Sequence, residues 1–201
     1  DKVPGARVIR RGPIGDLWVS RPEAGAVTVI DTNNKGEVSK VYDVVSGLNN
    51  PHGLAFDPSN PFKLYIAQSD KVSKLHVYSE STLETAAEFS ENDNQKYRSL
   101  AFGPDNFLYT TTCNGCSKAG DKYTEIQSID LNNGSLKPYR DNLNSSVYLN
   151  WHEIDASMWP VDSNVDLNTS ATPLGLDFVP EEGWPEKYWY DALIAYHDTD
   201  S

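Results

Sequence analysis

The chain has 201 residues, 38% of them hydrophobic and 23% charged, which is the balance of an ordinary globular protein rather than a disordered one. It has 17 Lys and Arg residues against 29 Asp and Glu residues, and the resulting net charge of −12 excludes nucleic acid and anionic membranes as favoured partners. No apolar run approaches the roughly 20 residues that a membrane span needs. The composition therefore predicts a globular protein whose partner is neither a phosphate backbone nor a lipid bilayer.

Several features predict a secreted, extracellular glycoprotein. The chain begins Asp1-Lys2-Val3-Pro4 without a Met or an apolar leader, as is typical of a mature or trimmed product, so this start itself does not report targeting. Its only two cysteines, Cys113 and Cys116, are separated by two residues, a spacing that favours a local structural disulfide. Redox pairs of this spacing usually start a helix, and a zinc site would need two more ligands. Sequons for N-glycosylation lie at Asn133, Asn144 and Asn168.

A repeat of about 45 residues is the strongest signal of the fold. Each copy has a turn and a short apolar run, which Asp, Pro or Gly residues end. A strand that contains an aromatic residue follows. The aromatic markers Trp18, Tyr65 and Tyr109 are spaced by 47 and 44 residues. This period is typical of the four-stranded blades of a β-propeller, so we predict an all-β propeller.

In chain order, the repeat predicts one propeller domain over residues 1–201, with about four to five recognisable blades. Alternating segments such as Val27–Asp31 and Ser39–Val45 supply the further strands, and Asn33–Gly36 and Asn132–Gly134 supply the hairpin turns. Segment 6–10 is expected to complete a ring by pairing with an end blade. The blades are predicted at 6–47, 48–93, 94–142, 143–172 and 173–201, of which the last two are incomplete.

The order of motifs resembles that of the soluble quinoprotein sugar dehydrogenases, the glucose and sorbosone dehydrogenase-like propellers. The segments that carry this resemblance are Gly15–Ser20, Gly47–Phe56, Arg98–Tyr109, Cys113–Cys116, Pro173–Phe178, Trp184–Tyr188 and Ala192–His197. The resemblance implies a fold of about six blades, pyrroloquinoline quinone (PQQ) and calcium on the central axis, and oxidation of a sugar hydroxyl.

The sequence departs from the family at each of its functional sites. Gln95 stands where the resemblance places the catalytic His, and an amide cannot accept the proton that accompanies hydride transfer. Asn144 lies in a predicted turn, 143–146, where the family has an Arg that clamps the quinone. The expected calcium segment is shortened to Leu167–Ser170, and His197 is followed by Asp198 instead of Gly. We therefore expect a related fold whose chemistry has been lost.

Three residues are candidates to face a ligand. His52 in the Pro51-His52-Gly53 turn either lies at the mouth of the central channel or bonds to backbone as an ordinary turn residue. The family comparison adds Arg98 and His197. His197 lies beside Asp198 and Asp200, where the alternatives are a metal ligand and an exposed side chain.

Asp162, Asn164 and Asp166 have the alternating oxygen spacing of a calcium loop. The EF-hand pattern fails because Leu167 and Pro173 stand where its Gly and Glu belong. The alternatives are a different calcium loop and an Asx-rich turn.

Three functions are consistent with these features. The favoured one is a secreted, catalytically degenerate propeller that binds carbohydrate or assembles with itself or with another extracellular protein. The second is an active PQQ- and calcium-dependent sugar dehydrogenase whose remaining parts lie outside this chain. The third is a structural subunit of an extracellular polymer, joined by strand addition at open sheet edges.

Overall fold

The structure is a computed structural model of the chain. It describes residues 3–33, 35–78, 82–93, 95–103, 105–113, 123–144, 172–178 and 192–197. The residues of this part form β-strands and turns, without a helix, and their arrangement is a partial β-propeller. No helix in the described ranges is long and apolar enough to cross a membrane.

Three four-stranded antiparallel sheets form consecutive blades, and in each the strands are ordered as in the sequence. Blade 1 consists of β1 (Ile9–Arg11), β2 (Leu17–Arg21), β3 (Ala26–Thr32) and β4 (Val38–Val45). Blade 2 consists of β5 (Leu54–Asp57), β6 (Asn60–Ala67), β7 (Lys71–His76) and β8 (Leu83–Glu88). Blade 3 consists of β9 (Leu100–Phe102), β10 (Leu108–Thr112), β11 (Tyr123–Ile129) and β12 (Leu136–Asn144). Contacts join β1 to β5 and β5 to β9, so the first strand of each blade is its inner strand.

These blades belong to a compact unit of residues 1–149, and residues 150–201 form a second unit. Within the second unit the structure describes the backbone of one antiparallel hairpin, β13 (Thr172–Phe178) and β14 (Ala192–His197). The single domain predicted over 1–201 and the two incomplete blades after residue 142 stay predictions.

The N-terminal strand corrects one prediction. Segment 6–10 was expected to close a ring with an end blade, but β1 pairs with β2 of its own sheet, with Ile9 opposite Val19. Backbone bonds extend this pairing, because Arg7 N donates to Ser20 O and Ser20 N donates to Val8 O. The segment is therefore the inner strand of blade 1.

The aromatic residues of the repeat pack neighbouring blades together. Trp18 and Tyr65 are buried on the second strands of blades 1 and 2. Trp18 meets the edge of Phe56 at 5.7 Å between ring centroids, and Tyr65 meets Phe102 at 5.6 Å. Because both Phe residues lie on the inner strand of the next blade, blade 2 supplies one ring to each of its two interfaces, Phe56 to the first and Tyr65 to the second. We call these interfaces the blade 1–2 seam, around Trp18 and Phe56, and the blade 2–3 seam, around Tyr65 and Phe102.

The predicted hairpin turns are confirmed. Gly36 and Gly134 have positive φ angles of 76° and 73°. Gly134 also lies so close to blade 2 that a Cβ atom would be 2.8 Å from the Ala86 carbonyl oxygen. The turn predicted at 143–146 is wrong at its start, because β12 continues to Asn144, which pairs with Tyr123.

Candidate functional site

The candidate site lies where the inner strands begin, beside the loops that enter blades 2 and 3. An open polar cleft of about 440 Å³ lies there between the two blades. It is lined by Asn49, Asn50, Ser69, Asp93, Gln95 and Lys96. We call it the interblade cleft.

Backbone and side-chain bonds hold the two walls of the interblade cleft together. Asn50 Nδ2 donates to Lys96 O at 2.6 Å and to Ser69 Oγ at 3.2 Å. Asn50 has a φ of 53°, in the left-handed region that Asn tolerates better than most residues. Ser69 N donates to Asn49 O, which ties the β6–β7 loop to the loop before β5. The cleft is thus built from fixed loops of both blades.

Arg98 lies beneath the cleft and is fully buried, at 0% exposure. Its Nη1 donates to Asp93 Oδ2 at 2.9 Å, and the Asp93 side chain is only 4% exposed. Both Nε and Nη2 donate to Ser69 O, and Nη1 also donates to Thr111 O. The guanidinium carbon lies 3.7 Å from the centroid of the Phe89 ring. Burial lowers the pKa of Arg98, while the Asp93 carboxylate opposes that shift.

This geometry differs from the expectation that Arg98 faces a ligand. Its donors are directed at protein acceptors from the loops of blades 2 and 3, and its charge is matched by a buried carboxylate. A buried cation that is paired and hydrogen-bonded in this way stabilises an interface. In the described structure the Arg98 side chain therefore links blades 2 and 3 through hydrogen bonds.

Asp93 organises the loop before β9. Its Oδ1 accepts from Gln95 N and from Cys113 N, both at 3.1 Å. Together with the bond from Arg98, these contacts fix Gln95 beside the end of β10. The carboxylate therefore positions Gln95, the residue at the place of the expected catalytic base.

The Gln95 amide has a defined orientation. One terminal atom lies 3.0 Å from Tyr97 O, and because a carbonyl oxygen only accepts, that atom must be Nε2. The same Nε2 donates to Thr111 Oγ1 at 3.1 Å. Gln95 Oε1 is buried and has no hydrogen-bond partner among the described residues. Gln95 is thus held as a neutral donor to protein groups.

His52 is buried at the start of the β5 inner strand. Its Nδ1 lies 3.2 Å from Arg98 O, a distance at which Nδ1–H donates to the carbonyl. Burial is the largest influence and lowers the pKa of His52, because desolvation disfavours the charged imidazolium. Gly53 follows, and a Cβ atom there would be 2.7 Å from Arg98 O. Only a glycine allows the inner strands of blades 2 and 3 to approach this closely.

The structure describes the other predicted site residues only in part. Cys113 is buried at the end of β10, but Cys116 lies outside the described residues, so their disulfide stays a prediction. Asn133 is exposed in the β11–β12 turn. Asn144 ends β12 and His197 ends β14, and only their backbones are described. Residues outside the described ranges are Asp162, Asn164, Asp166 and Asn168.

Sequence reasoning missed the residues that hold this site together. Asp93, Ser69 and Thr111 come from three separate loops and strands, and no local pattern connects them. The one available signal was a charged residue, Arg98, at the start of an apolar strand, because a buried arginine requires a carboxylate nearby.

The described residues do not fit the cofactors that the resemblance implies. Gln95 supplies no base, and the Arg98 donors are engaged by Asp93, Ser69 and Thr111, so neither side chain fits the quinone at these two positions. No group of three or more His, Cys, Asp or Glu that could hold a metal ion occurs within the described part of the chain. The described site therefore does not match the expected quinone centre.

Comparisons with known proteins show the fold. No family model matches the chain, and no curated protein matches it. The holo form of the PQQ domain of a pyranose dehydrogenase from Coprinopsis cinerea matches with a TM-score of 0.52 and 16% identity, over 66% of this chain and 35% of that one. The PQQ-bound aldose sugar dehydrogenase from Streptomyces coelicolor matches with a TM-score of 0.46 and 18% identity, over 62% and 44%. The periplasmic gluconolactonase of Pseudomonas aeruginosa matches with a TM-score of 0.48 and 15% identity, over 72% and 42%.

The chain thus spans less than half of the length of each of these structures. At such low identity the likeness shows a β-propeller fold and does not assign a family. The predicted fold class is confirmed, and the predicted relation to quinoprotein dehydrogenases is supported only at the level of the propeller.

Proposed function

We propose that this chain is a binding module of the β-propeller type, which binds carbohydrate and does not carry out quinone-dependent oxidation. The observation that carries the proposal is the state of Gln95. Its Nε2 is fixed as a donor to Tyr97 O and Thr111 Oγ1. A neutral amide in this position has no pKa near neutrality and cannot act as a general base.

The surroundings of Gln95 support binding rather than chemistry. The interblade cleft is lined by residues with amide, hydroxyl, carboxylate and ammonium groups, which suit a polyhydroxylated ligand. The buried ion pair of Arg98 and Asp93 holds the floor of the cleft in a fixed shape. A rigid, polar, open surface lowers the entropic cost of binding a small ligand.

Titration of the chain with PQQ and calcium, monitored by tryptophan fluorescence, tests the loss of quinone-dependent dehydrogenase activity. We expect no saturable quenching, with calcium alone as the matched control. Saturable quenching together with reduction of a dye by glucose would show an active dehydrogenase and would overturn the proposal.

Calorimetric titration with monosaccharides tests the binding function directly. We expect weak, saturable binding that is reduced when Asn49→Ala alters the wall of the interblade cleft. The matched control is Asn132→Ala, which removes an exposed amide in a distant turn. Absence of binding to every sugar tried would count against the carbohydrate assignment.

The proposal includes secretion, N-glycosylation and a defined assembly state. Asn133 is exposed in a turn, as a glycan acceptor must be. Expression in a eukaryotic secretory host should give a chain whose intact mass falls on treatment with a glycosidase and whose Asn133→Gln variant has lost one glycan. Light scattering should give a defined mass, whereas growth of the mass with concentration would favour the structural subunit of a polymer.

A further inference from the structure

The arginines of the chain are concentrated at its inner strands. Four of the six arginines in the sequence, Arg7, Arg10, Arg11 and Arg98, lie on or directly before β1 and β9. The corresponding segments 6–11, 51–57 and 97–102 contain a single acidic residue, Asp57. In a chain of net charge −12 this is a strong local reversal of charge. Clustered charge of one sign between low-dielectric walls attracts ligands of the opposite sign.

Two of these arginines are committed to the protein itself. Arg98 is buried against Asp93. Arg10 Nε donates to Leu54 O, and this bond joins the inner strands of blades 1 and 2. These contacts account for structure and leave little for a ligand.

Arg7 is different because its side chain is exposed. Its guanidinium carbon lies 5.8 Å from the centroid of the Tyr97 ring. In the described ranges no carboxylate is within 4.0 Å of the Arg7 guanidinium. The charge of Arg7 is thus held over an aromatic ring without a neutralising partner in this part of the chain.

Three blades meet at the Tyr97 ring. Arg7 comes from blade 1, His52 from the start of the blade 2 inner strand, and Tyr97 from the start of the blade 3 inner strand. The His52 and Tyr97 rings are 5.4 Å apart and tilted by 49°. Tyr97 is 47% exposed, whereas His52 is buried. We call Arg7, His52 and Tyr97 the three-blade cluster.

We propose that the three-blade cluster binds the carboxylate of an acidic sugar, such as a uronic or aldonic acid. The planar guanidinium of Arg7 matches a carboxylate in bidentate geometry. The exposed Tyr97 ring offers a flat apolar face to the C–H groups of a sugar ring. Lys96, which precedes Tyr97 and lines the interblade cleft, adds positive charge on the approach to the cluster. This inference rests on the proposed carbohydrate-binding function and names its ligand class.

Calorimetric titrations of the full chain with glucuronate, glucose and malate test the inference. Glucuronate and glucose differ only in a carboxylate, and malate carries carboxylates without a sugar ring. We expect glucuronate to bind at least about tenfold more tightly than glucose, since a charge-assisted hydrogen bond is worth about 1.5–3 kcal/mol. Its affinity should fall as salt concentration rises.

Arg7→Met should weaken glucuronate binding by about tenfold and leave glucose binding unchanged. The matched control is Arg11→Met, which removes an exposed arginine at the end of β1. It should change the affinity for glucuronate less than twofold. Tyr97→Leu should weaken the binding of both sugars, and circular dichroism verifies that each variant is folded.

The outcomes separate this inference from the function on which it rests. Equal binding of glucose and glucuronate, unaffected by Arg7→Met, would overturn the acidic-sugar assignment and retain carbohydrate binding. Equal binding of malate and glucuronate would retain the anion site and overturn carbohydrate binding. No binding of any of the three probes would overturn both.

Discussion

The two seams between blades are built from the same repeat but are stabilised by different interactions. The blade 1–2 seam is formed by large apolar residues, among them Trp18, Leu64, Ile66 and Leu75. The blade 2–3 seam also has large apolar residues, such as Leu108 and Ile129, but three alanines, Ala55, Ala67 and Ala87, lie in its core. It adds the buried pair of Arg98 and Asp93 and hydrogen bonds from Arg98 to backbone carbonyls.

The difference is related to the position of the candidate site. The polar network of the blade 2–3 seam lines the interblade cleft and fixes Gln95. Apolar packing is non-directional and tolerates small shifts, while a buried ion pair holds its partners in one geometry. We infer that the blade 1–2 seam contributes stability mainly through apolar packing, whereas the blade 2–3 seam contributes stability and also fixes the shape of the site.

Removal of the largest ring at the blade 1–2 seam should have the largest effect on stability. Trp18→Ala leaves a cavity beside Phe56 and removes the bond from Trp18 Nε1 to Asp16 Oδ2. We expect the free energy of unfolding to fall by about 3–5 kcal/mol, measured by urea denaturation. Trp18→Phe, which keeps an aromatic ring, should lose clearly less. A loss below about 1 kcal/mol for Trp18→Ala would contradict the assignment of this seam as the apolar anchor.

Removal of one charge from the blade 2–3 seam should have the next largest effect. Asp93→Ala leaves Arg98 buried without its carboxylate, and the free energy of unfolding should fall by about 3 kcal/mol. The double variant Asp93→Leu with Arg98→Met removes both charges and should recover much of that loss. A double variant that is less stable than Asp93→Ala would show that the pair itself, rather than an uncompensated charge, dominates the seam.

A smaller effect is expected at the edge of the blade 1–2 seam. Tyr78 donates its hydroxyl to Asp16 at 2.7–2.8 Å, and burial and this bond raise the pKa of the phenol. Tyr78→Phe leaves Asp16 bonded to Trp18 Nε1, so the free energy of unfolding should fall by only about 1 kcal/mol. Asp16→Asn serves as the comparison, because it weakens both bonds. Equal effects of the two substitutions would show that the Trp18 bond contributes little.

The two seams also show how far the sequence predicts this structure. The aromatic residues of both seams were predictable in outline, because Trp18, Tyr65 and the Phe residues of the inner strands recur at the blade period. The hydrogen bonds of Arg98 at the blade 2–3 seam were not, because Ser69 O meets the Arg98 guanidinium only after the two blades have packed. Periodicity reports which face of a strand is buried, but it does not report which loops converge at its end.

Two local features show the same limit. Segment 6–10 is short and rich in arginine, so its pattern does not specify its partner strand, which the structure shows to be β2. The φ of 61° at Tyr78 is rare for an aromatic residue, and the Tyr78 hydroxyl bonds to Asp16 of blade 1, a contact that no local pattern reports.

The last prediction concerns pH and is the smallest effect at the blade 2–3 seam. The pKa of His52 is lowered from 6.5 in the folded chain, because burial disfavours the imidazolium. The stabilisation that neutral His52 gives to the folded chain is therefore complete above about pH 6.5. It is lost as the pH falls below the pKa of His52 in the unfolded chain, because the unfolded chain then binds a proton that the folded chain does not. His52→Gln keeps an amide donor for Arg98 O but removes the titratable imidazole. The decline in the free energy of unfolding from pH 7.5 to pH 5.5 should therefore be shallower in this variant than in the original chain. Parallel declines in the two proteins would show that acid acts elsewhere and that His52 does not link the blade 2–3 seam to pH.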